Sequence, residues 1–422
     1  MRTVRVVFFL LISQVCFGQG FLFDSFDARS LGMASAPFAS PSDASTLFLN
    51  PASCAYLHGL HVDAGAMLNI RDEQFNLLPS KTASNPALSG QTDNGTEGFP
   101  LGNFVYSPQQ YPIGFGVAVT EPFQFHTDWQ SEWAGSQISH QADAHTLFTT
   151  LALGYKLSRM IYIGAALHIA TGGVDMLRYQ NDTLPTVPPT GSSVVSSGVL
   201  SQGSGTGAAV GLSAMIAPTP QFTVALAYLS GTNIPLRGST QIIGTNTQNI
   251  PQGNFHSQLS LPSILTLGIA SRPVRGLTLE AGVQLTGWSS FDQIQYIYDN
   301  VSTATVPANF QNSFSIRFGV EYVMAGVFAV RGGIKYIASP VGDSSISPLY
   351  PDANAFQFGF GIGFNFSKNI RLDLAYAGNS FSDRNATLYG NYGTYSITQN
   401  QVAATFSYAF EPTSNPLHAP LK

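Results

Sequence analysis

Charge is scarce in this chain. Only 10% of its 422 residues are Asp, Glu, Lys or Arg, against roughly 25% in a typical soluble domain. The 18 basic residues are spread thinly and the formal net charge is -5, which excludes the basic footprint of a nucleic-acid binder. Cysteine is nearly absent. Cys16 and Cys54 cannot build a disulfide framework. Long apolar runs are missing beyond the first residues, and no later stretch approaches the ~18 residues of a spanning helix. What is abundant is glycine, with 41 residues, and phenylalanine, with 30, in a chain that is 44% hydrophobic. So apolar and aromatic a composition excludes a disordered chain.

The N-terminus reads as a secretory signal over residues 1-18. Arg2 and Arg5 form a basic n-region, Val6 to Val15 an apolar h-region, and Cys16-Phe17-Gly18 a cleavage site. An exported chain without a spanning helix, rich in Gly and aromatics, is a secreted β protein or a membrane barrel. Only helices and closed sheets satisfy their backbone in lipid.

Periodicity favours the barrel. From Phe356 to Ser367 the chain alternates Phe356, Phe358, Phe360, Ile362, Phe364 and Phe366 with Gln357, Gly359, Gly361, Gly363, Asn365 and Ser367. A period of two with one wholly apolar face is a strand. Val402, Ala404, Phe406, Tyr408 and Phe410 repeat the pattern. It predicts fourteen strands, over 60-75, 98-107, 112-128, 138-156, 160-177, 205-217, 221-231, 256-271, 276-298, 309-323, 326-339, 354-367, 369-382 and 394-410. Links alternate short and long, with long loops expected at 178-204 and 232-255. Short turns on one rim and long loops on the other are the outer-membrane arrangement. An even strand count puts both termini on the periplasmic side. The fold expected is all-β, a transmembrane antiparallel barrel over 59-410 plugged by an N-terminal hatch over 19-58. A C-terminal periplasmic tail follows over 411-422. The hatch is expected in the lumen because Phe21 to Tyr56 is too apolar for a free tail and alternates poorly.

Three sets of residues resemble the FadL/TodX family of outer-membrane transporters for long-chain fatty acids and other hydrophobic compounds. The first is Ala28-Arg29-Ser30-Leu31-Gly32-Met33-Ala34 with Asn50-Pro51-Ala52. The second is Leu261-Pro262-Ser263 with Thr286-Gly287-Trp288. The third joins Arg317-Phe318-Gly319-Val320-Glu321-Tyr322, Ser339-Pro340-Val341 and Leu349-Tyr350-Pro351-Asp352-Ala353. The resemblance implies a fourteen-stranded barrel and passive, non-enzymatic uptake of a hydrophobic small molecule. It further implies gating by the hatch at Asn50, Pro51 and Ala52, with lateral exit at a third-strand kink at Pro122 and Phe123. Proline cannot donate to a ladder, which independently marks Pro122 as a kink or bulge. Gln124 stands where the family often has Gly.

The inward-facing charges Arg317, Glu321, Arg331 and Lys335, with Glu280, Gln284, Arg371 and Asp373, have two readings. One places a ligand carboxylate on an Arg or Lys of this set. The other, which the alternating signs favour, is a self-neutralising brace between wall and hatch. Gly203 to Gly207 imitates a phosphate loop without its strand-helix unit. Ser344 could serve an esterase, but no His stands near it in sequence. His58 and His61 have a ligand-like spacing at the hatch junction, yet neither a metal nor a cofactor is expected. Trp129, Trp133 and Trp288 read as interfacial girdle. A second resemblance, of Leu31-Gly32-Met33-Ala34 and Asn50-Pro51-Ala52 to barrel proteins of secretion systems, would make the chain a shuttle. The expected partners are a hydrophobic ligand and outer-membrane lipid, with the protein a monomer.

Overall fold

A computed structural model describes residues 20-78, 89-93, 95-129, 133, 135-136, 138-185, 192-244, 250-299, 302-343, 345-388 and 391-410. The expected signal and tail lie outside these residues, as does Ser344.

Fourteen staves form one closed antiparallel barrel. In chain order they are β1 Gly59–Leu77, β2 Gly95–Ser107, β3 Ile113–Asp128, β4 Gln141–Lys156, β5 Ile161–Pro185 and β6 Ser192–Thr219. β7 runs Phe222–Leu229 and resumes as Thr232–Ile243; β8 runs Gly253–Leu261 and resumes as Ile264–Ser271. β9 is Leu277–Thr286 with an outer piece Gln293–Tyr298, and β10 is Ser313–Met324 preceded by Thr303–Pro307. β11 is Phe328–Ile337, β12 Ala355–Asn365, β13 Ile370–Phe381 with Arg384–Leu388, and β14 Asn391–Phe410. β14 closes the sheet on β1, from Leu60 opposite Phe410 to Leu77 opposite Gly393.

The alternation read from sequence is the division between lipid and lumen. Phe356, Phe358, Phe360, Ile362 and Phe364 are exposed on the outside of β12, while Gly359, Gly361 and Gly363 face inward. Two expected loops are instead strand. The β5–β6 hairpin stays in register from Ile161 opposite Ile216 up to Pro185 opposite Ser192, so 178-204 is mostly ladder. Likewise Thr232–Ile243 pairs with Gly253–Leu261 and with β6. At 25 and 28 residues, β5 and β6 far exceed the roughly 9–11 needed to cross a bilayer. Above the lipid they need no apolar face, which is why Ser, Gly and Thr replace the Phe and Leu pattern there.

The tryptophans also correct an expectation. Trp129, Trp133 and Trp288 are buried inside the barrel, not placed on an interfacial girdle. Trp129 and Trp133 stack at 4.2 Å, and Trp288 packs against Phe21 at 4.6 Å. They belong to an apolar lumen that period counting along the wall could not reveal.

Candidate ligand cavity, hatch and lateral window

Residues 21-57 are almost wholly buried inside the barrel. Their chain is held by short helical turns. Asp27 caps the helix α1, Ala28–Gly32: its carboxylate accepts from the Ser30 N–H at 2.7 Å. Asp43 caps a 3-10 turn over Ala44–Phe48, and Ser53–Tyr56 forms a second helix, α2. The wall beneath is thinned to receive them. A Cβ on Gly333 would stand 2.2 Å from the Met33 carbonyl carbon, and one on Gly164 2.2 Å from the Ala52 N–H nitrogen. No side chain fits at either place.

Asn50, Pro51 and Ala52 lie on that second glycine bed. The Asn50 amide donates to the Phe38 carbonyl at 3.0 Å, tying two parts of the hatch together. The Ala52 N–H donates to Ser213 Oγ on β6 at 2.7 Å.

Arg317, Glu321, Arg331 and Lys335 come together in one buried ion network, whose other half is the hatch. Lys335 Nζ lies 2.6 Å from Asp24 Oδ1, and Arg317 Nη1 lies 3.1 Å from Asp24 Oδ2. Glu321 accepts from Arg29 at 3.1 Å and from Arg331 at 2.6 Å. Asp373 takes Arg331 and Arg371, and Arg371 reaches Asp43 at 2.8 Å. Glu280 accepts from the Phe38 and Ala39 N–H groups and the Ser40 hydroxyl. Asp24, Arg29 and Asp43 were missed as site residues. Their signal was plain: with Asp27 they are the only charges between Phe21 and Tyr56.

The network sets the hatch carboxyls apart. Burial alone would raise Asp24, but Lys335 and Arg317 outweigh it and hold it down at about 2. Burial would likewise raise Asp43, and Arg371 and Arg29 pull it well below the usual range. At Asp27 burial and the Asp43 charge outweigh the Ser30 hydrogen bonds and the more weakly felt Arg29, and push it up to about 6.

A cavity of about 840 Å3, including its open mouth, lies above this network. Phe21, Phe125, Phe310, Ile337, Val341 and Tyr350 supply its apolar wall. Its carboxylates are Asp24, Glu73, Glu97 and Asp352, and its one Arg is Arg71. Arg71 is occupied: it lies 2.6 Å from Glu73 and donates to the Pro351 carbonyl at 2.7 Å. Of the four wall charges expected to meet a ligand, none lines this cavity. Arg317 lines a smaller one of about 330 Å3, which Asp24 also borders.

Pro122 sits at a register shift. β3 pairs with β4 through Thr120 opposite Phe148, then resumes at Phe123 opposite Thr146, one residue out of step. On its other side β3 is joined to β2 only from Phe115–Val119 against Gly102–Tyr106. Above that, Gly95–Leu101 of β2 pairs with β1, and Thr120–Asp128 pairs with β4. An isolated bridge, Thr92 to Trp129, closes the top. Between these limits the two rims have no ladder between them, and we call the interval the window. The hatch enters it. Phe23 N–H donates to the Pro122 carbonyl at 2.7 Å, and Gln124 N–H donates to the Phe21 carbonyl at 3.0 Å. Residues 21-23 thus take the edge of β3 that β2 leaves. Phe123 is buried, its ring 6.3 Å from Phe21.

The remaining motifs have structural roles. Gly203 to Gly207 lies within β6. His61 bonds the His58 carbonyl at 3.0 Å. Asp343 accepts from Arg384 at 2.6 Å.

Comparison with known proteins agrees with this architecture. A family model described as outer membrane protein transport protein (OMPP1/FadL/TodX) matches residues 9–412. The long-chain fatty acid transport protein of Salmonella typhi is 22% identical over 395 residues, covering 88% of this chain and 90% of that protein. Its Escherichia coli (strain K12) counterpart is 21% identical over 407 residues, covering 88% and 90%. Among solved structures, a Pseudomonas aeruginosa FadL homologue superposes with a TM-score of 0.82 at 17% identity, over 93% of this chain and 100% of that one. The Ralstonia pickettii toluene transporter TbuX gives 0.70 at 16% identity, over 92% and 99%.

Proposed function

From the premise that the chain belongs to the OMPP1/FadL/TodX family of outer-membrane transport proteins, we propose that it takes up neutral hydrophobic small molecules passively, through the cavity and out at the window. The protein is an outer-membrane β-barrel of a family of transport channels, not of enzymes, so the esterase reading falls. Relatives bear the names of fatty-acid and toluene transporters, and transport of hydrophobic compounds is the function carried over here.

The observation that carries the proposal is the meeting of cavity and window. Phe21 and Phe125 line the cavity, and Phe21 is hydrogen-bonded through its backbone to the window's rim at Gln124. An apolar solute gains by leaving water for such a wall, at about 25 cal/mol per Å2 buried. Moving residues 21-23 aside would join cavity and window without breaking the barrel. The hatch segment at Asn50, Pro51 and Ala52 would stay on its glycine bed as the fixed part. No observation favours a secretion shuttle over this reading.

The ligand class follows from the charges. Arg71 is paired with Glu73, and Arg317, Arg331 and Lys335 are paired with Asp24, Glu321 and Asp373. Glu97 and Asp352 add negative charge to the lining without a cation of their own in bonding contact. An ionised carboxylate would therefore meet acids and no disengaged cation, whereas an alcohol or hydrocarbon incurs no such cost. The test is uptake of labelled hexadecanol and palmitate at pH 8 by cells lacking their own transporter. Hexadecanol is expected to enter at least as fast as palmitate, and Pro122→Ala to slow both. Preference for palmitate would overturn the neutral-ligand assignment. Uptake unchanged by Pro122→Ala would overturn the exit at the window.

A further inference from the structure

The window carries a second kind of chemistry. Glu97 on β2, His126 on β3 and Asp143 on β4 bring one ligand atom each to within 4.8 Å of one another. Among the described residues no other group of three or more His, Cys, Asp or Glu does so. We propose that these three side chains bind a divalent transition cation, with Zn2+ as the natural probe, and that the ion ties the two rims of the window together.

The placement argues for a tie. Glu97 belongs to the rim formed by Gly95–Leu101, where the backbone is bonded to β1 and not to β3. His126 belongs to the opposite rim and stands directly across from Asp143 in the β3–β4 ladder. The rims share no ladder bonds here, so a bond through an ion would be a direct link between them. The alternation brings the side chains to the gap. Glu97 shares its face with the inward-facing Phe99 and Leu101, while His126 and Asp143 lie on the face of the exposed His145 and Leu147. They meet in the opening itself because the sheet is interrupted.

The ligand types set the metal class. One imidazole with two carboxylates suits Zn2+ and its first-row neighbours better than Ca2+ or Mg2+, which take oxygen alone. Tetrahedral Zn2+ with bonds of about 2.1 Å holds its ligand atoms about 3.4 Å apart. A spread within 4.8 Å closes to that by side-chain rotation of roughly an ångström. Outer partners are in place. His145 Nδ1 lies 3.1 Å from Asp143 Oδ1. Oδ2 lies 3.2 Å from His126 Nδ1, close to the spacing two ligand atoms keep on one Zn2+, so the ion would replace the hydrogen bond between them. Asn69 Nδ2 donates to Glu97 Oε2 at 3.1 Å, leaving Oε1. Such partners fix the direction of a ligating carboxylate. Gly95 gives the ring its space: a Cβ there would stand 3.0 Å from His126 Cδ2.

The experiment is calorimetric titration of Zn2+ into the purified full-length mature protein in mild detergent, with amide exchange at both rims. One Zn2+ per chain is expected. Glu97→Gln, His126→Ala and Asp143→Asn should each weaken binding at least tenfold, and His126→Cys should restore it, because a thiolate is also a zinc ligand. Bound Zn2+ should slow exchange of residues 95-101 as well as 123-128, and do neither in Glu97→Gln. Absence of saturable binding, or binding unmoved by Glu97→Gln, would overturn the site. Protection confined to 123-128 would overturn the tie. The expectation that Zn2+ also slows uptake rests on the lateral-exit reading. If Zn2+ binds and protects both rims but uptake is unchanged, that reading fails and the metal site stands.

Discussion

Asp24 accepts an ion pair from Lys335 at 2.6 Å across 311 residues of sequence, joining the first turn of the hatch to the barrel wall. Arg317 closes on the same carboxylate from β10. All three groups are buried. Removing one partner of a buried pair leaves the other charge uncompensated, at about 3–5 kcal/mol. Asp24→Asn should therefore loosen residues 21-26 while leaving the barrel folded. Their amides should exchange at least about a hundredfold faster. Unaltered exchange would show that Asp24 does not hold the hatch.

Of the hatch carboxyls Asp24 and Asp27, Asp27 should give the hatch a pH response in the working range and Asp24 should not. Asp24 is depressed to about 2 from an ordinary 3.8. Its contribution, about 2 kcal/mol, is complete above 3.8 and is lost only as pH falls through 2. Asp27 is raised to about 6. Its contribution runs the other way: it is full below 3.8 and lost as pH rises through about 6. Hatch protection, corrected for intrinsic exchange, should thus weaken by about 2 kcal/mol between pH 4.5 and 7. Asp27→Asn keeps a side-chain cap and should make that profile shallower by about that amount. A profile equally steep in the variant would assign the titration elsewhere.

Leu22 stands opposite Phe123 as an isolated antiparallel bridge, with the bonds at Phe23 and Phe21 on either side. Such a non-hydrogen-bonded pair brings side chains within disulfide reach. Leu22→Cys with Phe123→Cys should form a bridge that stops uptake, and reductant should restore it. Cys54 will not interfere, since burial pushes its thiol up to about 12. Full uptake with the bridge closed would mean that residues 21-23 need not move.

Gly164→Val tests the hatch bed from below. A Cβ would meet the Ala52 nitrogen at 2.2 Å, and overpacking of this kind costs about 1–3 kcal/mol. The hatch, not the hydrogen-bonded wall, should yield. Conductance for small ions in planar bilayers is expected to rise, with the barrel still resisting SDS at room temperature. A tight barrel of wild-type conductance would show that the hatch adapts in place.

The wall was legible because it obeys a local rule. In β12 each Phe faces lipid and each Gly the lumen, Gly359 and Gly361 against the hatch, and both follow from a period of two. Legibility ended where the rule lost its cause. The upper parts of β5, β6 and β7 are strands without lipid, so 178-204 and 232-255 look like loops although their described residues are mostly in ladders. The charge network was half visible. Arg317, Glu321, Arg331 and Lys335 share the inward face of one hairpin, but their counter-ions Asp24 and Arg29 come from far away in sequence. The kink at Pro122 could be read from chemistry alone. That the hatch bonds to it could not, because Phe21 and Phe23 carry no mark of a strand.

The bond between Phe23 and the Pro122 carbonyl has a consequence for water. A strand edge inside a membrane wall must have its polar groups met, and each one left bare costs several kilocalories per mole. Were residues 21-23 to withdraw, as proposed, the Pro122 carbonyl and the Gln124 N–H would lose their partners, and an apolar cargo could satisfy neither. On the lateral-exit reading, opening would therefore hydrate the slot, and the oily solute would travel beside a thread of water.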